Sequence, residues 1–416
     1  MNLTPFIRNG RHISSSIRDI QYADVHPNWC RDMVRISVAA FGLLVLPTIA
    51  QSQTIAADEI YADGFEGFGV WNNVTPAEVN LTDALGCGNY GGGPYVNRAY
   101  PSTLYANFDC QGIWKSLDYG RTWSGPINGG SNASVTKDCA GGVTGASNSS
   151  NDTLYLTCIR GAATGFWRST DNGVNWTRYT IAPGGARQDF YAPAVDPYDA
   201  NHLLIAGHEM NVLAQSIDGG LNWTNVTMAS GMLQNGGTAA LVFIDTGNAS
   251  STRNTWLYVP QGTGGSIGTW RTATGGADWN KVDNNEKPHG GFQIYQPDTS
   301  GVVFMPGIYS AYGWGVLRST DYGQTWAHVG PTSAEALVFG TDTHIYTLWG
   351  WPIGIGGTVD PSLWISDQPG TGTWTQPGTP PAMTQGPGSV AVTYDGSHYI
   401  FVTGNYNAGL WRYIEP

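Results

Sequence analysis

Ser116-Leu-Asp-Tyr-Gly-Arg-Thr-Trp123, SLDYGRTW, returns as STDNGVNW at Ser169–Trp176, SIDGGLNW at Ser216–Trp223 and STDYGQTW at Ser319–Trp326. Two worn copies follow the same outline, TATGGADW at Thr272–Trp279 and SDQPGTGTW at Ser366–Trp374. A spacing of about 50 residues means that one supersecondary unit is copied around an array, because a single copy cannot bury its own apolar face. Short half-buried strands run into each copy: GIWKS (Gly112–Ser116), GFWRS (Gly165–Ser169), GTWRT (Gly268–Thr272), GVLRS (Gly315–Ser319) and SLWIS (Ser362–Ser366). The motif itself is therefore predicted to be a hairpin turn. Its Asp accepts from turn amides, its Gly takes the positive-φ position and its Trp anchors the outgoing strand.

An apolar strand lies upstream of each of these, from TLYANFD at Thr103–Asp109 and TLYLTC at Thr153–Cys158 through HLLIAGHE at His202–Glu209 to YIFVTGNY at Tyr399–Tyr406. The last is followed by GLWRY (Gly409–Tyr413), with no turn motif after it, while GVWNNV (Gly69–Val74) near the other end has the pattern of an outgoing strand. Seven four-stranded units, the first strand closing the last unit, predict an all-β fold: a seven-bladed β-propeller over residues 69–416.

Charged residues are 12% of the chain, aromatics 12%, and 57 of 416 residues are Gly, which suits short strands and tight turns rather than a helical bundle. The formal charge is −12; residues 1–50 hold five Arg against three Asp, so the remaining 14 basic and 28 acidic residues leave −14. That argues against a nucleic-acid partner, which needs a basic face. Met33-Val34-Arg35 followed by ISVAAFGLLVLPTIA reads as a secretory signal over 33–50, with 1–32 a leader or an overcalled start and 51–68 a linker. The apolar run is shorter than a membrane span. A secreted or periplasmic monomer with no membrane span after signal removal is expected.

Cysteines agree with export. Cys87 and Cys110 fall on adjacent strands of the first unit, Cys139 and Cys158 on the same two strands of the second, so disulfides 87–110 and 139–158 are predicted among the three pairings the sequence allows. With no CxxC spacing, a thiolate metal site is not expected. No cofactor is expected either.

In a propeller the starts of the inner strands and the ends of the second strands converge on one face, opposite the boxed turns. Polar, acidic and aromatic residues crowd those positions. Tyr90, Tyr191, Trp349, Trp351 and Tyr406 offer flat surfaces for a sugar ring, and Arg187, Gln188, Asp189 and Asn235 offer polar contacts. Asp109 and Glu209 are the candidate acid and base of glycoside hydrolysis. His208, His289, Tyr309 and Arg160 form the alternative set, for proton abstraction beside a uronate carboxylate by a polysaccharide lyase.

The repeats resemble the BNR or Asp-box repeats of sialidases, xyloglucanase-type family 74 glycoside hydrolases, sortilin-type receptors and photosystem II assembly factors. The resemblance implies the propeller fold and leaves function open. Sialidases need an arginine triad, whereas Arg121, Arg168, Arg271, Arg318 and Arg412 lie in or beside the boxed strands. GGGPYV (Gly91–Val96) followed by LYANFDCQGIWKS (Leu104–Ser116) is similar to the first blade of family 74, which implies a catalytic role for Asp109. Those enzymes use two propellers, and this chain has length for one, so the resemblance supplies no partner carboxylate; Glu209 or Asp189 would take that place. Seven-bladed ulvan lyases resemble the chain in size and in central His, Tyr and Arg. The expectation is a secreted carbohydrate-active enzyme acting on a polysaccharide or oligosaccharide, most simply a glycoside hydrolase, with a lyase and a non-catalytic glycan- or protein-binding propeller as alternatives.

Overall fold

In the structure, a computed structural model, the described residues are 67–81, 93–97, 99–127, 135, 138–146, 153–232, 238–260, 268–284, 293–306, 315–331, 337–349, 362–367, 370, 372–383, 387–405 and 408–416. They form seven antiparallel sheets in chain order, the blades of a seven-bladed β-propeller. Blade 1 contains Tyr95–Val96, Leu104–Phe108 and Gly112–Ser116; blade 2 contains Ala140–Ala146, Thr153–Arg160, Gly165–Ser169 and Thr177–Tyr179. In blade 3 the strands are Ala194–Asp196, Asp199–Ala206, Leu213–Ser216 and Thr224–Asn225. Blade 4 contains Thr238–Phe243, Trp256–Pro260, Thr269–Thr272 and Asn280–Asp283, blade 5 Val303–Pro306, Val316–Ser319 and Ala327–His328, and blade 6 Leu337–Gly340, His344–Trp349 and Ser362–Asp367. Blade 7 is completed by Trp71–Asn73, which pairs with Gly409–Ile414, as the Gly69–Val74 pattern predicts.

Successive side chains of a strand face opposite sides of its sheet, and in each blade both sides are seams. Leu154 and Leu156 pack toward blade 1 with Tyr105 and Ile113, while Tyr155 packs toward blade 3 with Leu203 and Ile205. Leu204 and Ala206 in turn face Trp256 and Tyr258 of blade 4. Seven such apolar clusters occur among the described residues, one per seam, and the last joins Ala391, Val402 and Leu410 of blade 7 to Leu104, Ala106 and Phe108 of blade 1. The core is thus a ring of wedges. Innermost strands of all seven blades line one central cavity, of about 640 Å³, from Tyr95 and Gly145 through Asp196, Phe243 and Tyr295 to Phe339 and Val392.

The boxed turns have one geometry. In the first copy Gly120 N donates to Ser116 Oγ (2.9 Å), Ser116 Oγ and Thr122 N donate to Asp118 Oδ1 (2.7 and 2.9 Å), and Trp123 Nε1 donates to Gly120 O (3.1 Å). The same bonds recur around Asp171, Asp218 and Asp321. Gly120 has φ +80°, and a Cβ there would lie 2.6 Å from Val402 Cγ2 of blade 7, so glycine answers both backbone and packing. In the worn copy, Thr272 and Thr274 hydroxyls replace Ser and Asp, and Trp279 Nε1 donates instead to Thr227 O.

The Arg residues beside the boxes tie neighbouring blades. Arg271 Nε donates to Tyr322 O (2.8 Å) in the boxed turn of blade 5, and Arg412 Nε to Tyr119 O (2.9 Å) in that of blade 1. Burial pushes Arg412 down to about 10. No helix among the described residues is long and apolar enough to cross a membrane.

Candidate functional site

Strand register places the polar residues of the face opposite the boxes. Leu104 pairs with the boxed Ser116 and Leu203 with the boxed Ser216, so Asp109 and His208, each five residues further on, occupy equivalent ends of the second strands of blades 1 and 3. The next residue is left-handed in both, Cys110 at φ 57° and Glu209 at φ 51°. Non-glycine residues adopt this region at a conformational cost and persist there only when their surroundings hold them.

Asp109 is 3% exposed. Its Oδ1 accepts from Gly141 N (3.1 Å) and, at 3.5 Å, from Asn107 Nδ2. Burial pushes the carboxyl well above the usual range, against the opposing pulls of the Gly141 N–H and the charge of Arg160. Arg160 ends the second strand of blade 2 and is exposed.

A second cluster occupies blade 3. His208 Nδ1 lies 2.9 Å from both Asp189 oxygens, and the two side chains are nearly buried. A carboxylate only accepts, so the ring donates to it through Nδ1. Arg187 straddles the pair: Nη2 donates to Asp189 Oδ2 (3.1 Å) and His208 O (3.3 Å), Nη1 to Glu209 O (3.2 Å), and the guanidinium is 3.5 Å from Glu209 Oε2. The Tyr191 ring stands edge-on to His208, 5.1 Å between centroids. Asp189 thus orients His208 as well as bordering the face, and Glu209 is the half-exposed carboxylate of the group.

Gln188 is engaged locally: its Oε1 accepts from Ile181 N (2.8 Å) and its Nε2 donates to Ile181 O and Gly185 O, bracing the loop before blade 3. Trp349 ends the second strand of blade 6, paired with Ser362. Tyr90, Asn235, His289, Tyr309, Trp351, Tyr406 and Cys87 lie outside the described residues. Cys139 and Cys158 are joined as a disulfide, and Cys110 is also disulfide-bonded. Among the described residues no group of three or more His, Cys, Asp or Glu is arranged to hold a metal ion.

Two features escaped the sequence reading. Gly141 N is the donor to Asp109, and its only trace in the sequence is the Gly141-Gly142 doublet after Cys139. A second His–carboxylate pair, His202 Nδ1 with Asp196 Oδ2 at 3.0 Å, is buried near the box-side end of blade 3, where the ring packs on Phe243. Its signal was a histidine opening an apolar strand six residues after an aspartate.

Seven wedge-packed blades, closed by the first strand, define a seven-bladed β-propeller. No protein-family model matches the chain, and no curated protein matches it. Among solved structures it is similar to YCF48 from Cyanidioschyzon merolae, at 15% identity and a TM-score of 0.51 over 83% of this chain and 99% of that one. It is also similar to YCF48 bound to D1 peptide, at 13% identity and TM-score 0.51 over 84% and 99% of the two chains. The GH74 xyloglucanase from Xanthomonas campestris is similar at 19% identity and TM-score 0.57, over 82% of this chain and 53% of that one. This chain therefore spans about half the length of the xyloglucanase. At these identities the likeness concerns the fold.

Proposed function

We propose that this is a secreted carbohydrate-active propeller that hydrolyses glycosidic bonds, with Asp109 as general acid and Glu209 as the second carboxylate. The observation that carries the reading is the contrast between the two carboxyls. Asp109 is buried and biased toward its protonated form, as an acid for a leaving sugar oxygen must be; Glu209 is half-exposed beside Arg187. In the reaction Asp109 gives its proton to the glycosidic oxygen as the bond to the anomeric carbon breaks. Water adds to that carbon and its proton passes to Glu209. The likeness to the GH74 xyloglucanase supports a glycan as the class of substrate, and the disulfides agree with export.

One observation favours a second reading. His208 is oriented by Asp189, and in this reading it would take the proton beside a uronate carboxylate that Arg160 neutralises, with His289 and Tyr309 completing the set. A binding propeller is the third reading, supported by the likeness to YCF48 bound to D1 peptide.

Digestion of a panel of neutral and uronate-containing polysaccharides, read by reducing ends and by ultraviolet absorbance of unsaturated uronates, separates them. Hydrolysis gives reducing ends without absorbance, and elimination gives both. Asp109→Asn and Glu209→Gln should each lower hydrolysis by about 10²-fold or more. Hydrolysis surviving both substitutions would refute the assignment, and binding without turnover would favour the third reading.

A further inference from the structure

We infer that the Cys139–Cys158 disulfide is a positioning element of the site: it holds the lip of blade 2 in the shape that keeps the Asp109 carboxyl buried. The inference rests on the reading of Asp109 as the acid. Three hydrogen bonds cross the seam between blades 1 and 2 at this point. Asn107 Nδ2 donates to Gly141 O (3.1 Å), Gly141 N donates to Asp109 Oδ1 (3.1 Å), and Cys110 N donates to Cys139 O (2.8 Å). The residues bracketing Asp109 in space, 139 and 141, therefore flank Ala140 on one short stretch of blade 2.

That stretch is irregular. Ala140 pairs with Arg160 but Gly141 pairs with Cys158, so Ile159 is the extra residue of a β-bulge. A bulge interrupts the ladder, bends its strand and re-aims nearby groups. Here the Gly141 N–H is turned across the seam to Asp109. The stretch has no slack on its other side, where a Cβ at Gly141 would fall 1.6 Å from Thr157 O. Cys139 and Cys158 sit on either side of the bulge, both fully buried, and their bond clamps the irregular turn. Generic stapling would be served anywhere along the paired strands. At this place the bond fixes both the carbonyl that receives Cys110 N and the amide that reaches Asp109.

Burial is the main reason that Asp109 favours its protonated form, and the charge of Arg160, at the end of the clamped strand of blade 2, opposes it. Loosening the lip would hydrate the carboxyl and return it toward the ordinary range, and this outweighs the loss of the Gly141 bond. In a Cys139→Ser/Cys158→Ser variant, the titration midpoint of the Asp109 carboxyl, followed by ¹³C NMR without substrate, should fall toward the ordinary carboxylate range. The basic limb of the hydrolytic pH profile should move down with it. A lower melting temperature with an unmoved midpoint would reduce the disulfide to a staple and overturn the inference. A moved midpoint in a protein that cleaves no glycan would instead refute the hydrolase reading and leave the positioning intact. The reciprocal measurement holds if the double variant does not fold. Asp109→Ala should make dithiothreitol reduce the Cys139–Cys158 bond about fivefold faster, because coupled groups loosen one another. An unchanged rate overturns the inference.

Discussion

A carboxyl that is 3% exposed and held by one backbone amide ionises with difficulty, and the difficulty is a statement about stability as well as chemistry. The folded-state value of Asp109 lies above that of the unfolded chain, about 3.9. Its ionisation therefore destabilises the fold, with no effect below the unfolded value and a growing one as pH rises to the folded value. Asp109→Asn keeps the shape and an acceptor for Gly141 N while removing the ionisation. The variant should lose hydrolysis yet melt higher than the parent at pH 7, by roughly 2–4 °C, with the gap closing near pH 4. A variant that melts lower at pH 7 would show that the carboxyl is held for structure. The boxed carboxyls behave oppositely. Burial pushes Asp218 up, but hydrogen bonds from Asn222, Ser216 and the Leu221 N–H outweigh it and leave it below the ordinary value; Asp118, Asp171 and Asp321 are lowered in the same way. Their contribution is present above the unfolded value and is lost as pH falls through the folded one, so thermal stability should decline below about pH 4.

At the scale of the element, the boxed turn is a unit of hydrogen bonds that can be broken or rebuilt. Asp218→Ala removes the acceptor for Asn222 N, Asn222 Nδ2 and Ser216 Oγ at a largely exposed turn, and should cost about 1 kcal/mol in urea unfolding. Repair of the worn turn in blade 4 is the complementary test. An Asp at position 274 alone would face the Asp278 carboxylate, so the substitution must be Thr274→Asp with Asp278→Asn, restoring the Asp–Asn pair seen at Asp218–Asn222. A gain of about 0.5–1 kcal/mol is expected, and a loss would show that the Trp279 to Thr227 bond has committed this turn to another geometry. The same element explains what could be read from sequence. Ser, Asp, Gly and Trp at fixed offsets reveal strand direction and blade count because turn chemistry is local. Asp109 and His208 follow from it by counting five residues from the strand partner of the boxed Ser. The burial of Asp109, the orienting part played by Asp189 and the local engagement of Gln188 did not follow. They depend on a bulge at Ile159 and on loop hydrogen bonds whose partners are 7 to 34 residues apart along the chain.

At the scale of the whole molecule, every blade buries both faces only if the ring is closed, so the closing strand acts on all seams at once. Trp71, Asn72 and Asn73 pair with Tyr413, Arg412 and Trp411, and the buried Trp71 ring lies 5.0 Å from that of Tyr413. Beside them Glu415 Oε1 accepts from Tyr346 OH (2.5 Å), His344 Nδ1 (2.8 Å) and Thr341 Oγ1 (3.0 Å), tying the end of blade 7 to blade 6. Trp71→Ala should therefore cost about 3–5 kcal/mol, the range for an aromatic lost from a core. It should also broaden the unfolding transition, because blades 6, 7 and 1 can then separate before the rest. Removing residues up to 75 goes further and leaves the apolar strand Gly409–Ile414 as a bare sheet edge, which invites pairing between molecules. Light scattering during thermal unfolding should then rise at lower temperature for the truncated chain than for Trp71→Ala. If both variants instead unfold in one sharp transition with the parent's midpoint, closure by this strand is not what holds the ring, and the Glu415 network with the seam between blades 7 and 1 must suffice.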